Sequence, residues 1–383
     1  MADGRPSILH LHSGFDLGGK EARAVRLMNL WGPRARHSII SADPDAMGAA
    51  RAIAADIDCD FPHDRLPSLQ GLPGLGRYWR WAKAMQGFDL VLSYNWGAMD
   101  GVMAHRLFSP LMKLPALIHH EDGFNADEAE RLKPKRNHFR RIALTSAHGL
   151  VVPSQRLREI AHGVWRQPES RVHMIANGID VDAYAEPPAS DAIPGLVRSP
   201  GKLLVGTLAG LRPVKNLQRL VRAIAPLKDR LQLVIVGEGP ERDAILGQAR
   251  ASGMEDIHLP GFLPDPSRYV GLFDIFSLSS DSEQFPISLV EAMAAGLPVV
   301  ATDVGDVSSM VAQDNRGLIV PVADEAAMTA AFARLLADEG LRTALGAANR
   351  HKAETQYREA DMIRHYAALY ERAMGKPGAL WGK

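Results

Sequence analysis

Apolar and polar residues alternate on two length scales along the first half of the chain. Short apolar runs recur as SILHLHS, HSIISA, DLVLSYN, PALIHH and HGLVVPS. Longer stretches such as KEARAVRLMNLW lie among them and repeat their apolar positions with the period of a helix. Strands of about five residues that alternate with helices are typical of parallel βαβ units. The pattern therefore predicts a parallel α/β domain over residues 1–180.

The pattern fails between Ile179 and Pro200, where the sequence reads IDVDAYAEPPASDAIPGLVRSP. A stretch rich in Pro, Ala and Asp is typical of an interdomain linker, which we expect over residues 181–200. A second series of apolar runs follows: KLLVGTLAGL, LQLVIVGEGP, DIHLPGF, DIFSLSS, LPVVATD and RGLIVPV. It predicts a second parallel α/β domain over residues 201–355.

The last part of the chain predicts an amphipathic helix. In EADMIRHYAALYERAM, one face carries Ile363, Tyr366, Leu369 and Tyr370. We expect residues 356–383 to form this C-terminal helix and to cross back to the N-terminal domain. The predicted fold class is α/β, with two Rossmann-like parallel-sheet domains facing a central cleft, because open parallel sheets bind ligands at the carboxyl ends of their strands.

Composition and charge exclude several classes of protein. The 383 residues include 44 basic and 44 acidic side chains, so the formal net charge is zero and nothing global attracts nucleic acid. Cys59 is the only cysteine, which excludes an intramolecular disulfide and fits a reducing compartment. The sequence lacks a secretory signal pattern and any run of roughly 18 apolar residues. We therefore expect a cytoplasmic protein, either soluble or peripheral at the inner face of the membrane.

The segment SDSEQFPISLVEAMAAGLP, which starts at Ser280, holds the first candidate chemistry. It follows the strand-like run DIFSLSS, and we expect a helix from about Pro286 to Ala295, with proline at its first position. Such a helix leaves three N–H groups without intrahelical partners at the positive end of its dipole, those of Ile287, Ser288 and Leu289. The helix end is therefore a candidate anion site.

Two acids flank this helix end, Glu283 before it and Glu291 in its second turn. A carboxylate can accept hydrogen bonds from two neighbouring hydroxyl groups, which suits it to hold a sugar diol. The alternative interpretation is a pair of solvated carboxylates at a helix end.

A loop of the second domain and a turn of the first add candidate phosphate ligands. Arg212 and Lys215 follow the strand KLLVGTLAG in the loop RPVKN, where two cations can neutralise a diphosphate, although they can equally be exposed loop cations. Gly18 and Gly19 precede the first helix and allow backbone N–H groups to approach an oxyanion. In VGEGPER, position 242 is Arg, so the G-x-G-x-x-G fingerprint is absent and a dehydrogenase is disfavoured.

Taken together, these segments resemble the family 4 retaining glycosyltransferases of GT-B fold. The resemblance covers nearly the whole chain and is carried by GGKE, PALIHHEDG, VVPS, ANGID, RPVKN, VGEGPER, HLPGFLPD, the Glu-x7-Glu segment followed by AMAAGLPVVATDVG, and RGLIVPV. It implies that the second domain binds a UDP- or GDP-linked sugar. It further implies that the first domain binds a lipid-linked or saccharide acceptor in polysaccharide, lipopolysaccharide or glycolipid synthesis.

The resemblance also implies roles for individual residues. Glu283 would contact the hydroxyls of the donor sugar and Glu291 those of the ribose. The backbone around Phe262 and Leu263 would meet the base. The donor-binding residues expected in this way are Gly18, Gly19, Arg212, Lys215, Phe262, Leu263, Glu283, Phe285, Ile287, Ser288, Leu289 and Glu291.

The resemblance further implies a histidine near the reacting sugar, at the end of the strand PALIHH. His119 and His120 compete for this role, and Glu121 and Asp122 behind them leave the alignment open by one to three positions. The expected catalytic set is therefore Glu283, His119, His120, Arg212 and Lys215.

Three positions depart from the family pattern. Gly210 stands where an arginine usually precedes the loop lysine, and Arg212 is a possible substitute. Gln284 replaces the usual glycine after the first Glu, which would narrow the sugar pocket. Ser309 stands where a Glu commonly follows the glycine turn.

The expected mechanism is front-side attack with retention of configuration. The acceptor hydroxyl approaches from the face that the diphosphate leaves, and a phosphate oxygen takes its proton, so no cofactor and no metal ion are expected. A double displacement through Glu283 is the alternative route. A sugar-nucleotide epimerase, or a non-catalytic nucleotide-sugar-binding protein of the same fold, is the alternative function.

Two segments suggest peripheral contact with an anionic membrane. Residues 77–83 combine aromatic with basic side chains, and residues 131–141 contain a local basic cluster. The alternatives are an amphipathic helix packed in the core for the first segment and a solvated helix face for the second.

Overall fold

The computed structural model of the chain describes residues 4–16, 18–72, 74–124, 128 and 132–381. The chain divides into two compact units. Unit 1 comprises Met1–Ile175 and Ile363–Lys383, and unit 2 comprises Ala176–Met362.

Unit 1 is built on a parallel sheet covered by helices. Its described strands are β1 (Ser7–His12), β2 (Arg36–Ser41), β3 (Cys59–Asp60), β4 (Leu90–Tyr94), β5 (Ala116–His120), β6 (Gly149–Val152) and β7 (Val172–Met174). The helices are α1 (Gly19–Trp31), α2 (Leu75–Met85), α3 (Met99–Phe108), α4 (Pro134–Ala143) and α5 (Gln155–Gly163). The strand order is β3-β2-β1-β4-β5-β6-β7, so it reverses between β1 and β4.

The sequence of unit 1 explains why this sheet is central. Both β4 (LVLSY) and β5 (ALIHH) are buried along their whole length, as expected for parallel strands with helices on both faces. Helices α2 and α4 both pack against α3, and Trp81 and Trp165 are fully buried in the core beneath them.

Unit 2 repeats this architecture. Its described strands are β8 (Leu203–Leu208), β9 (Leu231–Val236), β10 (Ile257–Gly261), β11 (Ile275–Leu278), β12 (Val299–Thr302) and β13 (Ile319–Val320). The helices are α6 (Leu217–Ile224), α7 (Arg242–Ala251), α8 (Ile287–Ala294), α9 (Val307–Met310), α10 (Glu325–Ala337) and α11 (Glu339–Gln356). The strand order β10-β9-β8-β11-β12-β13 reverses between β8 and β11, and open sheets bind ligands at such a reversal.

The last helix, α12 (Glu359–Met374), begins in unit 2 and belongs to unit 1 from Ile363 onward. Within unit 1, the Tyr370 hydroxyl lies 2.6 Å from Nε2 of His120, and Lys376 forms an ion pair of 2.7 Å with Asp89. The Trp31 ring meets Tyr370 edge to face. The C-terminal segment therefore packs on unit 1 through its aromatic face.

The structure places residues 181–200, which the composition assigned to a linker, inside unit 2. Val181, Tyr184 and Ile193 of this segment are buried in its hydrophobic core, and the boundary between the units falls at 175/176. Three widely spaced apolar residues are enough to anchor the segment. Because Pro and Ala residues surround them, they do not form a helical or strand-like period in the sequence.

Every helix in the described part of the chain falls short of the length and apolar character that a membrane span requires.

Candidate functional site

The strand reversal in unit 2 brings the loops after β8 and β11 together. Lys215 ends the short turn Pro213–Lys215 in the first loop, and Glu283 lies in the second, before α8. The Lys215 ammonium donates to Oε1 of Glu283 at 2.5 Å, and the Ser280 hydroxyl donates to the same oxygen at 2.7 Å. The side chains of Lys215 and Glu283 are only 21% and 10% exposed, so the ion pair is partly shielded from water.

The Arg212 side chain folds back over Gly210. A Cβ atom built on Gly210 would lie 3.2 Å from Nε and 3.5 Å from Nη2 of Arg212. The guanidinium therefore occupies the space that a side chain at position 210 would enter. Arg212 is exposed, and no hydrogen bond or ion pair joins its side chain to another residue in the described part of the chain.

The helix beside Glu283 starts one residue later than the sequence predicts. Pro286 is the N-cap of α8 rather than its first residue, and no side chain caps the helix. The N–H of Leu289 donates to the Pro286 carbonyl at 3.2 Å. Of the three N–H groups expected to be free for an anion, the helix therefore leaves those of Ile287 and Ser288.

Phe285 and Leu289, both expected at the donor, serve the core instead. Phe285 packs on the core of unit 2 with its ring edge against Tyr357, at 5.7 Å between ring centres. Leu289 is fully buried. Phe285 in the loop before α8 and Leu289 within α8 thus both contribute their side chains to the core of unit 2.

Glu291 lies on α8, which is apolar on almost every side. Burial raises the pKa of Glu291 to about 7, and a hydrogen bond from the Tyr184 hydroxyl opposes this shift. The carboxyl group in turn raises the pKa of both Tyr184 and Tyr269 above their ordinary range, after burial as the main cause. Glu291 is therefore a partly desolvated acid that is hydrogen-bonded to the Tyr184 phenol and lies near that of Tyr269.

A pocket of about 440 Å³ lies at the carboxyl ends of β8, β9 and β10. Its lining includes Gly210, Glu238, Phe262, Leu263 and Tyr269, so it connects the Arg212 loop with the surroundings of Glu291. Phe262 is 69% exposed at the pocket.

Two features of this pocket were not found in the sequence. A Cβ atom on Gly237, which has a φ of +145°, would lie 1.9 Å from the Ala209 carbonyl oxygen, so only glycine lets the two loops meet. Its neighbour Glu238 accepts a hydrogen bond of 3.4 Å from the Phe262 N–H. The sequence signal for both is the segment VGEGPER, in which Glu238 stands between the two glycines.

Gly18 and Gly19 lie at the start of α1 in unit 1. Gly18 is the N-cap, and no side chain caps the helix. The adjacent Lys20 pairs with Glu21, and burial lowers the pKa of Lys20 to about 8. As at any helix start, the first N–H groups of α1 have no partner within the helix, and a Cβ atom built on Gly18 would lie 2.9 Å from Oε2 of Glu21.

His119 and His120 are both buried, on opposite faces of β5. His120 has both ring nitrogens engaged, Nδ1 with the Ser93 carbonyl at 3.2 Å and Nε2 with the Tyr370 hydroxyl at 2.6 Å. Burial lowers its pKa to about 3, so the ring is neutral. The structure therefore gives His120 a structural place in unit 1 and no ring nitrogen that could face a sugar.

On the other face, His119 Nδ1 lies 2.9 Å from the Ser93 hydroxyl, and its Nε2 lies 3.7 Å from Glu121. Glu121 accepts from Nε of Arg140 at 3.0 Å. All of these side chains are fully buried. The ring of His119 is therefore turned into the core, because β5 continues to His120 and both of its faces are covered.

The two segments expected at a membrane are only partly exposed. In α2, Tyr78 and Trp81 are buried, and Arg77 pairs with Asp100, whereas Trp79 is 46% exposed with the Lys83 ammonium over its ring. In the second segment, Arg140 is buried among aromatic rings. Arg131 lies outside the described residues.

Two protein-family models match the chain, one in each half. The model described as Glycosyltransferase Family 4 matches residues 17–183, and the model described as Glycosyl transferases group 1 matches residues 192–352. The chain belongs to the family 4 glycosyltransferases. Family membership agrees with the resemblance noted in the sequence.

Curated relatives of this family 4 chain carry several activities. N-acetyl-alpha-D-glucosaminyl L-malate synthase of Bacillus anthracis is 25% identical over 240 residues, which cover 62% of this chain and 63% of that protein. GDP-mannose-dependent alpha-mannosyltransferase of Mycolicibacterium smegmatis is 34% identical over 208 residues, 53% of each chain. The aligned segments thus span less than two thirds of either relative.

The fold of the family 4 chain is GT-B. The crystal structure of Anabaena Alr3699/HepE in complex with UDP aligns with a TM-score of 0.77 and 18% identity, over 96% of this chain and 100% of that one. Among the described residues, no group of three or more His, Cys, Asp or Glu side chains is arranged to hold a metal ion.

Proposed function

We propose that the chain is a glycosyltransferase that moves a sugar from a UDP- or GDP-linked donor to a lipid-linked or saccharide acceptor. The reaction would serve polysaccharide, lipopolysaccharide or glycolipid synthesis. The observation that carries the proposal is the Lys215–Glu283 ion pair at the strand reversal of unit 2, beside the pocket at β8–β10. Support also comes from a relative named for GDP-mannose and from a structural neighbour solved with UDP.

In this proposal, unit 2 binds the donor along its whole length, from the base to the sugar. The base enters the pocket next to Phe262 and Leu263, and the ribose reaches Glu291. The diphosphate meets Arg212 and the N-terminus of α8, where the N–H groups of Ile287 and Ser288 have no partner within the helix. The sugar then lies at Glu283.

The Lys215–Glu283 ion pair prepares the reaction. Lys215 orients the Glu283 carboxylate by donating to one of its oxygens, so that the second oxygen can accept hydrogen bonds from sugar hydroxyls. When the diphosphate binds, Lys215 gains a second anionic partner. Negative charge grows on the leaving phosphate in the transition state, and Arg212, Lys215 and the helix end stabilise it there.

The reaction proceeds with retention by front-side attack. The acceptor oxygen forms the new bond to the anomeric carbon as the bond to the diphosphate oxygen breaks, and its proton passes to a phosphate oxygen. No protein nucleophile is required. The buried rings of His119 and His120 support unit 1 and take no part in this step.

The acceptor side includes a contact with anionic lipid. Leu72 and Leu75 are 90% and 72% exposed, and Leu75, Trp79 and Lys83 follow one another at helical spacing along α2. Arg80 lies exposed beside them. An apolar stripe bordered by cations fits an anionic interface.

The experiment that tests the function measures binding and turnover separately. UDP-glucose, UDP-galactose and GDP-mannose are tested for binding by calorimetry, and then for release of UDP or GDP with and without lipid-linked and saccharide acceptors. We expect one donor to bind and its nucleotide to be released with an acceptor, with the anomeric configuration retained in the product by NMR. Binding with epimerisation, or binding without turnover on any acceptor, would contradict the proposal.

A further inference from the structure

Five buried side chains of unit 1 are joined by hydrogen bonds into one chain. His10 lies at 3.0 Å from His37 through its Nε2 and at 3.3 Å from the Tyr94 hydroxyl through its Nδ1. The Tyr94 hydroxyl is hydrogen-bonded to that of Tyr370, which lies 2.6 Å from Nε2 of His120. We call these five side chains the His–Tyr chain. It runs from β2 through β1 and β4 to α12 and ends on β5.

The carbonyl of Ser93 fixes the direction of the last hydrogen bonds. A carbonyl oxygen only accepts, so Nδ1 of His120, 3.2 Å away, carries a proton. In a neutral ring Nε2 of His120 is then an acceptor, and the Tyr370 hydroxyl donates to it. Because Tyr370 has one proton, the Tyr94 hydroxyl must donate to Tyr370.

The same reasoning fixes the first half of the chain. With the proton of Tyr94 engaged, Nδ1 of His10 donates to the Tyr94 oxygen, and Nδ1 of His37 donates to Nε2 of His10. Nε2 of His37 is then a lone pair at the end of the chain. This fits the observation that it has no partner among the residues that the structure describes.

The direction holds only while the histidines are neutral. A second proton on His120 would reverse every bond and end on a buried, unpaired N–H of His37. Burial, followed by the positive charge of Arg23, lowers the pKa of His120 to about 3, and Asp122 opposes this shift. Burial also lowers the pKa of His37 to about 4 and that of His10. The other titratable groups that face the chain are His12, Lys20, His119 and Tyr366.

Tyr370 is the link between this chain and the C-terminal segment of unit 1. If the segment moved away, His120 would lose the hydroxyl that covers its Nε2, and water could protonate the ring. Tyr366, one helical turn before Tyr370, differs in this respect. Its ring packs against the Arg23 guanidinium, but its buried hydroxyl has no partner in the described ranges.

We propose that the His–Tyr chain is an acid-sensitive latch that holds the C-terminal segment, residues 363–381, on the rest of unit 1. Protonation is disfavoured while the latch is closed and is free to occur once it opens. Since the pKa of His120 is lowered from 6.5 in the closed form, the latch is fully stable above about pH 6.5 and loosens as the pH falls towards 3. This proposal is independent of the proposed function.

NMR of the wild type tests the direction of the chain. Long-range proton–nitrogen spectra of protein labelled with ¹⁵N-histidine show which ring nitrogen carries the proton. At pH 7.5 we expect His10, His37 and His120 all to carry it on Nδ1. A proton on Nε2 of His120 would overturn the assigned direction.

Hydrogen exchange tests the latch itself. After correction for intrinsic exchange rates, the opening equilibrium of amides 364–374 should rise by about tenfold or more between pH 7.5 and pH 5.5, because opening lets at least one histidine of ordinary pKa take up a proton. The amides of β4 should lose less protection. An equal loss in both regions, or none in α12, would overturn the latch.

Three variants separate the latch from packing. Tyr370→Phe should raise the opening of α12 at pH 7.5 by about tenfold, because it leaves buried groups of His120 and Tyr94 unpaired. Tyr366→Phe is the matched control and should open as the wild type does. His120→Gln keeps an acceptor for Tyr370 but cannot titrate, so it should weaken the pH dependence. Equal opening in both tyrosine variants, or an unchanged pH dependence in His120→Gln, would contradict the proposal.

Discussion

The Arg212 side chain occupies the space that a side chain at position 210 would fill. The guanidinium of Arg212 lies within 3.2 Å of the point where a Cβ atom of residue 210 would stand. A cation expected at position 210 from the family pattern can therefore be supplied from position 212, provided that residue 210 has no side chain. Two residues of the sequence are in this way coupled through a single site on the loop.

Arg212→Ala should lower kcat by about a hundredfold, because one contact to the developing charge on the leaving phosphate is worth about 3 kcal/mol. The double variant Gly210→Arg/Arg212→Ala should recover much of this loss. Its new arginine extends from residue 210 into the space that the Arg212 guanidinium occupies in the wild type. Initial rates with the preferred donor measure both effects. Arg250→Ala, an exposed arginine at the far end of α7, is the control. A double variant no better than Arg212→Ala would contradict the substitution of one position by the other.

Glu291 makes the stability of the protein depend on pH. Its pKa rises from 4.5 to about 7 on folding, so the folded protein binds more protons than the unfolded chain between these values. The stabilisation is fully present below about pH 4.5 and is lost as the pH rises through 7. The nearby phenols of Tyr184 and Tyr269 stay neutral over this range, because their pKa values are raised.

We therefore expect the free energy of unfolding of the wild type, relative to that of Glu291→Gln, to fall by on the order of 2 kcal/mol between pH 5 and pH 8. Urea denaturation of both proteins at several pH values measures the difference and removes the contribution of the buried histidines, which the two share. A difference that is constant with pH would show that Glu291 titrates at its ordinary value.

At the scale of elements, α8 and α2 illustrate how much of a helix the sequence reveals. In α8, the residues Leu289, Val290, Ala292 and Met293 are all buried, so the helix lacks a polar face and Glu291 is desolvated. The sequence correctly predicts this helix and the loop with Glu283 before it. It does not predict the capping role of Pro286, since a proline suits either side of a helix start.

In α2, the sequence predicts an amphipathic helix but not which aromatic residues face water. Tyr78 and Trp81 pack towards α3, and Trp79 remains outside, because 100° steps separate neighbouring residues of a helix. The candidate lipid contact is therefore narrower than the whole segment 77–83. It consists of Leu72, Leu75, Trp79, Arg80 and Lys83.

The α2 stripe should bind anionic membranes. We expect the wild type to float with liposomes that contain phosphatidylglycerol and less with neutral ones, whereas Leu75→Ser/Trp79→Ser should remain largely in the soluble fraction. Val197→Ser is the matched control, because Val197 is 77% exposed but belongs to unit 2. Flotation that is the same with anionic and neutral liposomes, and the same for the wild type and the α2 variant, would contradict the membrane contact.

At the scale of the whole molecule, periodicity predicts both sheets and the order of their elements. It cannot predict contacts between distant segments. The sequence predicts that His120 lies at a strand end. It does not predict that the hydroxyl of Tyr370, 250 positions away, is hydrogen-bonded to the second ring nitrogen of His120. Likewise, Tyr184 is assigned to a linker by its surroundings, although it packs in unit 2 and donates to Glu291.

The candidate site divides in the same way. The motif residues Lys215 and Glu283 are predicted from the sequence, and the structure joins them directly. Two supporting residues are not predicted: Ser280, which donates to Glu283, and Gly305, where a Cβ atom would lie 2.3 Å from the Glu283 carbonyl oxygen. A hydroxyl or a glycine carries no signal until the partner backbone is known. The chemistry-bearing residues of unit 2 are thus visible in the sequence, whereas their positioning is visible only in the structure.

If unit 2 holds a nucleotide sugar with Glu283 at the sugar and Glu291 at the nucleoside, the two carboxylates should affect different parts of the donor. The most direct measurement is isothermal calorimetry of UDP, GDP and the preferred nucleotide sugar on the wild type, Glu283→Ala and Glu291→Ala, with turnover measured in parallel. We expect Glu283→Ala to keep the wild-type Kd for the free nucleotide and to lose turnover by about a hundredfold or more, whereas Glu291→Ala should weaken the binding of the free nucleotide itself. Equal effects of both substitutions on free nucleotide binding, or full turnover by Glu283→Ala, would contradict this expectation.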